Sequence, residues 1–172
     1  MINRFFMQFG LFSDQKPVAQ VNVKQESCPL LQKIWLDLQC EFFPECDRLT
    51  QYRTIWSRRR QKRTLASCYF ESKRIIVAKE LKHSQFHHWL APLLYHEMCH
   101  AVIGIKPPRR NGKNCWHGRE FKELEACHPE MEAFNRWVKQ GGWAHAVRSE
   151  RARSAALHRS RQKSRKTTIN SN

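Results

Sequence analysis

Apolar side chains recur at steps of three and four in the stretch Leu30, Leu31, Ile34, Trp35, Leu38 and Phe42. That is the stripe of an amphipathic helix, opened at Ser27 and Pro29, running to about Phe43 and stopped by Pro44. The period then changes. Tyr52–Ser57, Thr64–Phe70 and Arg74–Ala78 are short runs rich in β-branched and aromatic residues, separated by the polar turns Arg58–Arg63 and Glu71–Lys73. They predict a small three-stranded antiparallel sheet. Helical spacing returns from about Ser84, with Phe86, Leu90, Leu93, Leu94, Met98, Ala101 and Val102 on one face before Gly104 and Pro107-Pro108 end it. Pro92 fits either the first turn of a helix that begins near Leu90 or a kink in a longer one.

Residues 106–116 read as a loop because Pro107, Pro108, Asn111, Gly112 and Asn114 crowd it. A helix is expected from about Gly118 to Cys127, and another from Pro129 to the Gly141-Gly142 pair. Residues 1–26 lack sustained periodicity and are expected to form a poorly ordered leader. From Arg148 onward eight Lys or Arg face the single Glu150, and there are almost no large apolar side chains after Leu157. Residues 148–172 are therefore read as a flexible basic tail, and 27–147 as the folded domain.

At 172 residues, with 41% hydrophobic and 11% aromatic side chains, the chain can bury one core. Its 31 Lys and Arg against 15 Asp and Glu give a formal charge of +16, which favours polyanionic partners, nucleic acid first among them. No stretch has the roughly 18 apolar residues of a membrane helix, so no membrane partner is expected. The Phe-rich start lacks a cleavage site of the secretory kind. Cysteines 28, 40, 46, 68, 99, 115 and 127 form no C-x-x-C pair and are odd in number, as expected of reduced thiols in a cytoplasm. A nucleoid or nuclear association would fit the charge.

The chemistry concentrates in His96-Glu97-Met98-Cys99-His100, an H-E-x-x-H pattern on a segment already read as helix. Histidines four apart share a helix face, about 6 Å apart along the axis, so two imidazoles can converge on one metal ion while Glu97 holds a water. A catalytic zinc needs a third protein ligand and an open position. His117, Glu120, Glu123, Glu125 and His128 are the candidates. His117 is favoured because it lies just past the polar loop and just before a helix, where the chain can turn back; His128, beside Pro129, suits a capping or solvated role.

Three parts occur in order: the strand Arg74–Ala78, the helix carrying Leu94-Tyr95-His96-Glu97-Met98-Cys99-His100-Ala101, and Trp116-His117-Gly118-Arg119-Glu120-Phe121. Over roughly residues 28–140 this order resembles the SprT-like zinc metallopeptidases, which include the Spartan proteases acting on proteins crosslinked to DNA; the YgjP-like metallopeptidases are near neighbours. The resemblance implies a small zincin-like α+β fold, with Zn2+ on His96, His100 and His117 and Glu97 as general base. Many SprT-type proteins end in a cysteine-rich zinc ribbon. This chain has no cysteine after Cys127, so DNA contact through a ribbon is not expected.

Three neutral imidazoles would leave zinc its full charge, and Glu97 would take a proton from water and pass it to the leaving amine. Hydrolysis of protein substrates is the expected reaction, with nonspecific nucleic-acid contact through the basic loops and tail. A second group that holds the oxyanion could be Tyr95, Arg119 or His145. Two other readings stand beside this one: a non-catalytic zinc protein that binds nucleic acid, closed by a fourth ligand such as Cys99 or Cys115, and a regulatory protease that cleaves a repressor.

Overall fold

A computed structural model describes residues 27–104, 109–110 and 112–169. The leader read at 1–26 lies outside them. The fold is α+β, as expected. Helix α1 (Pro29–Phe42) has Pro29 in its first turn, where a missing N–H costs nothing, and turns Leu31, Trp35 and Leu38 inward. Its start is tied to the first strand, since the Cys28 amide donates to the Thr54 carbonyl at 2.8 Å. Gln32 reinforces the join by accepting from the Thr54 amide and donating to the Tyr52 carbonyl.

Strands β1 (Arg53–Trp56), β2 (Ala66–Tyr69) and β3 (Arg74–Val77) form one sheet in the order β1-β3-β2. β2 and β3 make an antiparallel hairpin. β1 runs parallel to β3, so the sheet is mixed and the expected antiparallel arrangement is corrected. The cause is the connection between β1 and β2. It is long enough to pass over the end of the sheet, so that β3 returns into the gap between its two predecessors. Alternation along the strands then puts Thr54, Ala66, Cys68, Ile75 and Val77 on the face that meets the helices.

A 3-10 segment, Ser84–Trp89, leads into α2 (Leu90–Ile103), which resolves the two readings of Pro92: it is the third residue of the helix, where its lack of an N–H leaves no bond unmade. Eleven of the fourteen residues of α2 are buried, so this helix is the centre of the core and not a surface element. It ends at Gly104, whose φ of +87° only glycine adopts cheaply, and the Gly104 amide caps the His100 carbonyl. The expected loop that follows holds two short paired strands, β4 (Arg109–Arg110) and β5 (Lys113–Asn114).

Helices α3 (Arg119–Glu125) and α4 (Met131–Lys139) follow close to where the periodicity puts them. The segment from residue 148, read as a flexible tail, continues α5 (Gly142–Ile169) as helix. Among its described side chains only those at its beginning are docked. Trp143 and Ala146 are buried and the Trp143 indole donates to the Lys62 carbonyl, whereas residues 155–162 are exposed throughout.

Candidate metal centre

His96 and His100 stand one turn apart on α2, buried to within 2% of complete. His117 reaches them from the segment before α3. One ring nitrogen or equivalent ligand atom of each lies within 4.8 Å of the others, the one such group of three among the described residues. The Nε2 atoms of His100 and His117 are 3.1 Å apart. Two nitrogens bound tetrahedrally to one zinc at about 2.05 Å would be roughly 3.3 Å apart, so the cluster needs little adjustment to hold a metal ion.

Burial, reinforced by the neighbouring imidazoles, pushes His100 down to about 2 and His117 down to about 4. Both rings are therefore neutral near pH 7, with the lone pairs a metal requires. The ring of Phe121 lies under all three, its centroid 5.0, 4.5 and 4.7 Å from those of His96, His100 and His117. Trp116 stacks on Phe70 of the β2–β3 turn, which moors the segment bearing His117 to the sheet.

Glu97 is 1% exposed and points towards the sheet instead of away from the core. Burial raises it to about 7, against the opposing pull of His96 and of the Cys68 backbone on β2. Its Oε1 is buried without a hydrogen-bonding partner among the described residues. A buried carboxylate oxygen normally has one, so this atom is placed to receive a proton donor from outside the protein, such as a water.

The other candidates separate cleanly. Glu125, weighed as a ligand, instead holds Nδ1 of His96 at 2.5 Å. Glu120 is exposed, and Glu123 pairs with Arg119 on the surface. His128 is buried, stacked on Phe42, and accepts from the amide of Glu130, the residue before α4; it is neither solvated nor the side-chain cap of that helix. Tyr95 donates to the Leu124 carbonyl and is fully buried, Arg119 is engaged with Glu123, and His145 packs on Phe86. None of these three lines the cluster. Neither Cys99 nor Cys115 belongs to the metal-compatible group, so no fourth protein ligand closes it among the described residues.

The role of Glu125 escaped the sequence reading although its spacing carried a signal. His117, Phe121 and Glu125 are four apart in succession, which puts the last two on one face of α3, the face turned to the histidines. The SprT-like family model matches residues 31–140 of the chain. Comparison with curated proteins gave no significant match. No helix of the described residues is long and apolar enough to cross a membrane.

Proposed function

Since the chain belongs to the SprT-like family, we propose that it is a zinc-dependent metalloendopeptidase with His96, His100 and His117 as ligands and Glu97 as the catalytic base. The observation that supports this most is the three-histidine group beside a Glu97 oxygen that has no partner among the described residues, on the helix that carries two of the three histidines. A site kept only for structure gains nothing from such an acid, and would be expected to recruit a cysteine.

The donor set suits zinc: three imidazoles gathered over the ring of Phe121, with His100 and His117 held neutral by burial. Zinc there would polarise a peptide carbonyl and make water a stronger acid. Glu97 orients the attacking water, accepts its proton at the carboxylate, and donates it to the departing amine. Phe121, 1% exposed beneath the three imidazoles, keeps bulk water from that side of the site. Proteins bound to nucleic acid are the proposed substrates, because the charge of +16 brings polyanions to the surface and the arginine-rich turn 58–63 and α5 supply it.

Metal analysis of the wild type and of His117→Ala, together with casein digestion, tests the proposal. One zinc per chain in the wild type, most of it lost in the variant along with hydrolysis, is the expected result. Full zinc occupancy in His117→Ala would move the third ligand elsewhere, and a zinc-loaded wild type inert towards casein and towards DNA-bound histone would leave the chain a binding protein.

A further inference from the structure

We propose that the face of the sheet turned away from α2 is a binding site for single-stranded nucleic acid, with a base seated against Tyr69 and phosphates on Arg58, Arg59 and Arg74. This rests on the nucleic-acid reading above and adds to it a place and a strandedness.

A cavity of about 430 Å3 lies between the sheet and the turn that follows β1. That is within the range of small-ligand pockets, roughly 300–1,000 Å3. Ile55, Ile76 and Ala78 supply apolar lining, and Arg58, Arg59 and Arg74 supply cations. No carboxylate lines it. None of the three arginines takes part in an ion pair among the described residues, so their charge is available to a ligand.

The wall is built, not incidental. A run of five cations such as 58–63 would ordinarily be a solvated loop, but here it is tied down twice. The Ser57 hydroxyl donates to the Arg59 carbonyl at 2.9 Å while accepting from the Lys79 amide. The Gln61 amide donates to Glu80, a carboxylate 1% exposed. These bonds fix the backbone of the turn beside the sheet, so the ordering cost when a ligand arrives is confined to the arginine side chains.

The aromatic component is Tyr69. It is 37% exposed, directly opposite Arg74 in the β2–β3 register and on the same face. A ring beside a guanidinium, above an apolar floor and with no carboxylate in the lining among the described residues, is the combination that stacks a base and neutralises the adjoining phosphate. A duplex keeps its bases stacked on one another and offers only its backbone, whereas a single strand can turn a base into the cavity. An acidic peptide would satisfy the arginines but leave the floor and the tyrosine ring unused. Because successive residues of β2 face opposite ways, a strand held at Tyr69 lies across the sheet from Cys68, the residue beside Glu97.

The test is fluorescence anisotropy with a short labelled oligo(dT) strand and with a blunt duplex of equal length, on the full chain. Tyr69→Ala should weaken oligo(dT) binding by about 10-fold and change duplex binding by less than about twofold. Tyr69→Phe, which keeps the ring, should bind as the wild type does. Replacing Arg58, Arg59 and Arg74 together by Gln should reduce the salt slope for oligo(dT) by about 2. Unchanged oligo(dT) affinity in Tyr69→Ala, or competition by poly-glutamate as strong as by unlabelled oligo(dT), would overturn the proposal. Casein hydrolysis measured on the same samples keeps the two readings apart. Cleavage with oligo(dT) binding indifferent to Tyr69 removes only the cavity, and Tyr69-dependent binding without cleavage removes only the hydrolase.

Discussion

The carboxylate of Glu125 on α3 meets Nδ1 of His96 on α2 at 2.5 Å, with the imidazole 2% and the carboxylate 18% exposed. The two residues are 29 positions apart, so the bond fixes one helix of the site against the other. It also decides which nitrogen of His96 faces its two companions. With Nδ1 engaged by an acceptor, Nε2 is the atom left to a metal, and the carboxylate makes the ring a more basic donor.

Removing that carboxylate should therefore weaken the metal site without touching a ligand. Glu125→Ala is expected to lower zinc affinity by about 10- to 100-fold in competition with a chromophoric chelator. Glu125→Gln, whose amide oxygen can still accept from Nδ1–H, should fall between the two. Wild-type affinity in the Ala variant would strip Glu125 of its positioning role.

Glu97→Gln separates metal binding from chemistry. The amide cannot take a proton from water, so turnover on casein should drop by at least ~100-fold while zinc content and melting temperature stay close to those of the wild type. The fold is not expected to suffer, because Gln replaces a buried acid that burial already holds at about 7. Retained turnover would transfer the role of base to another residue.

The helices and the H-E-x-x-H site were legible because both follow from spacing. Leu31, Trp35 and Leu38 had to share a face, and so did His96 and His100. Strand direction was not legible. Alternation in Arg53–Trp56 marks which side chains face inward, but reads the same for either orientation, and only the path of residues 57–65 makes β1 parallel to β3. Residues 148–169 misled for another reason. They lack an apolar face, the signal used to recognise a packed helix, yet Ala, Arg, Lys and Gln are strong intrinsic helix formers, and α5 continues on that propensity from its anchored start at Trp143 and Ala146. Glu97 was found by motif, but its burial against β2 depends on a contact between α2 and the sheet that no local pattern encodes.

Phe121 is 1% exposed and touches all three imidazoles, so it serves the core and the site at once. Phe121→Ala should destabilise the fold by about 3–5 kcal/mol in urea unfolding. It should also cost the cluster its shared floor, so zinc affinity should fall even at temperatures where the variant remains folded. Phe121→Leu, which refills most of the volume, should recover stability more fully than affinity. Equal recovery of both would mean that the ring contributes only volume.

The last expectation concerns α5 and duplex DNA. Residues 155–162 are exposed, and Arg148, Arg151, Arg159 and Arg161 are exposed members of the eight Lys and Arg beyond Val147, whose single Glu, Glu150, pairs with Arg153. As a helix this segment is a rod of about 1.5 Å per residue, and roughly half of its cations can face a phosphate backbone at once. No base-reading arrangement accompanies them, and affinity for duplex should show little sequence preference and fall steeply as salt rises. A chain ending at Val147 keeps the docked Trp143 and Ala146 and should remain folded. If about four phosphate contacts are lost with the segment, the slope of log K against log salt should become shallower by about 3 to 4. A salt titration of both chains measures this directly. An unchanged slope would place the duplex contacts on the domain itself, where the arginine-rich turn 58–63 is one source of cations beside others such as Arg109 and Arg110.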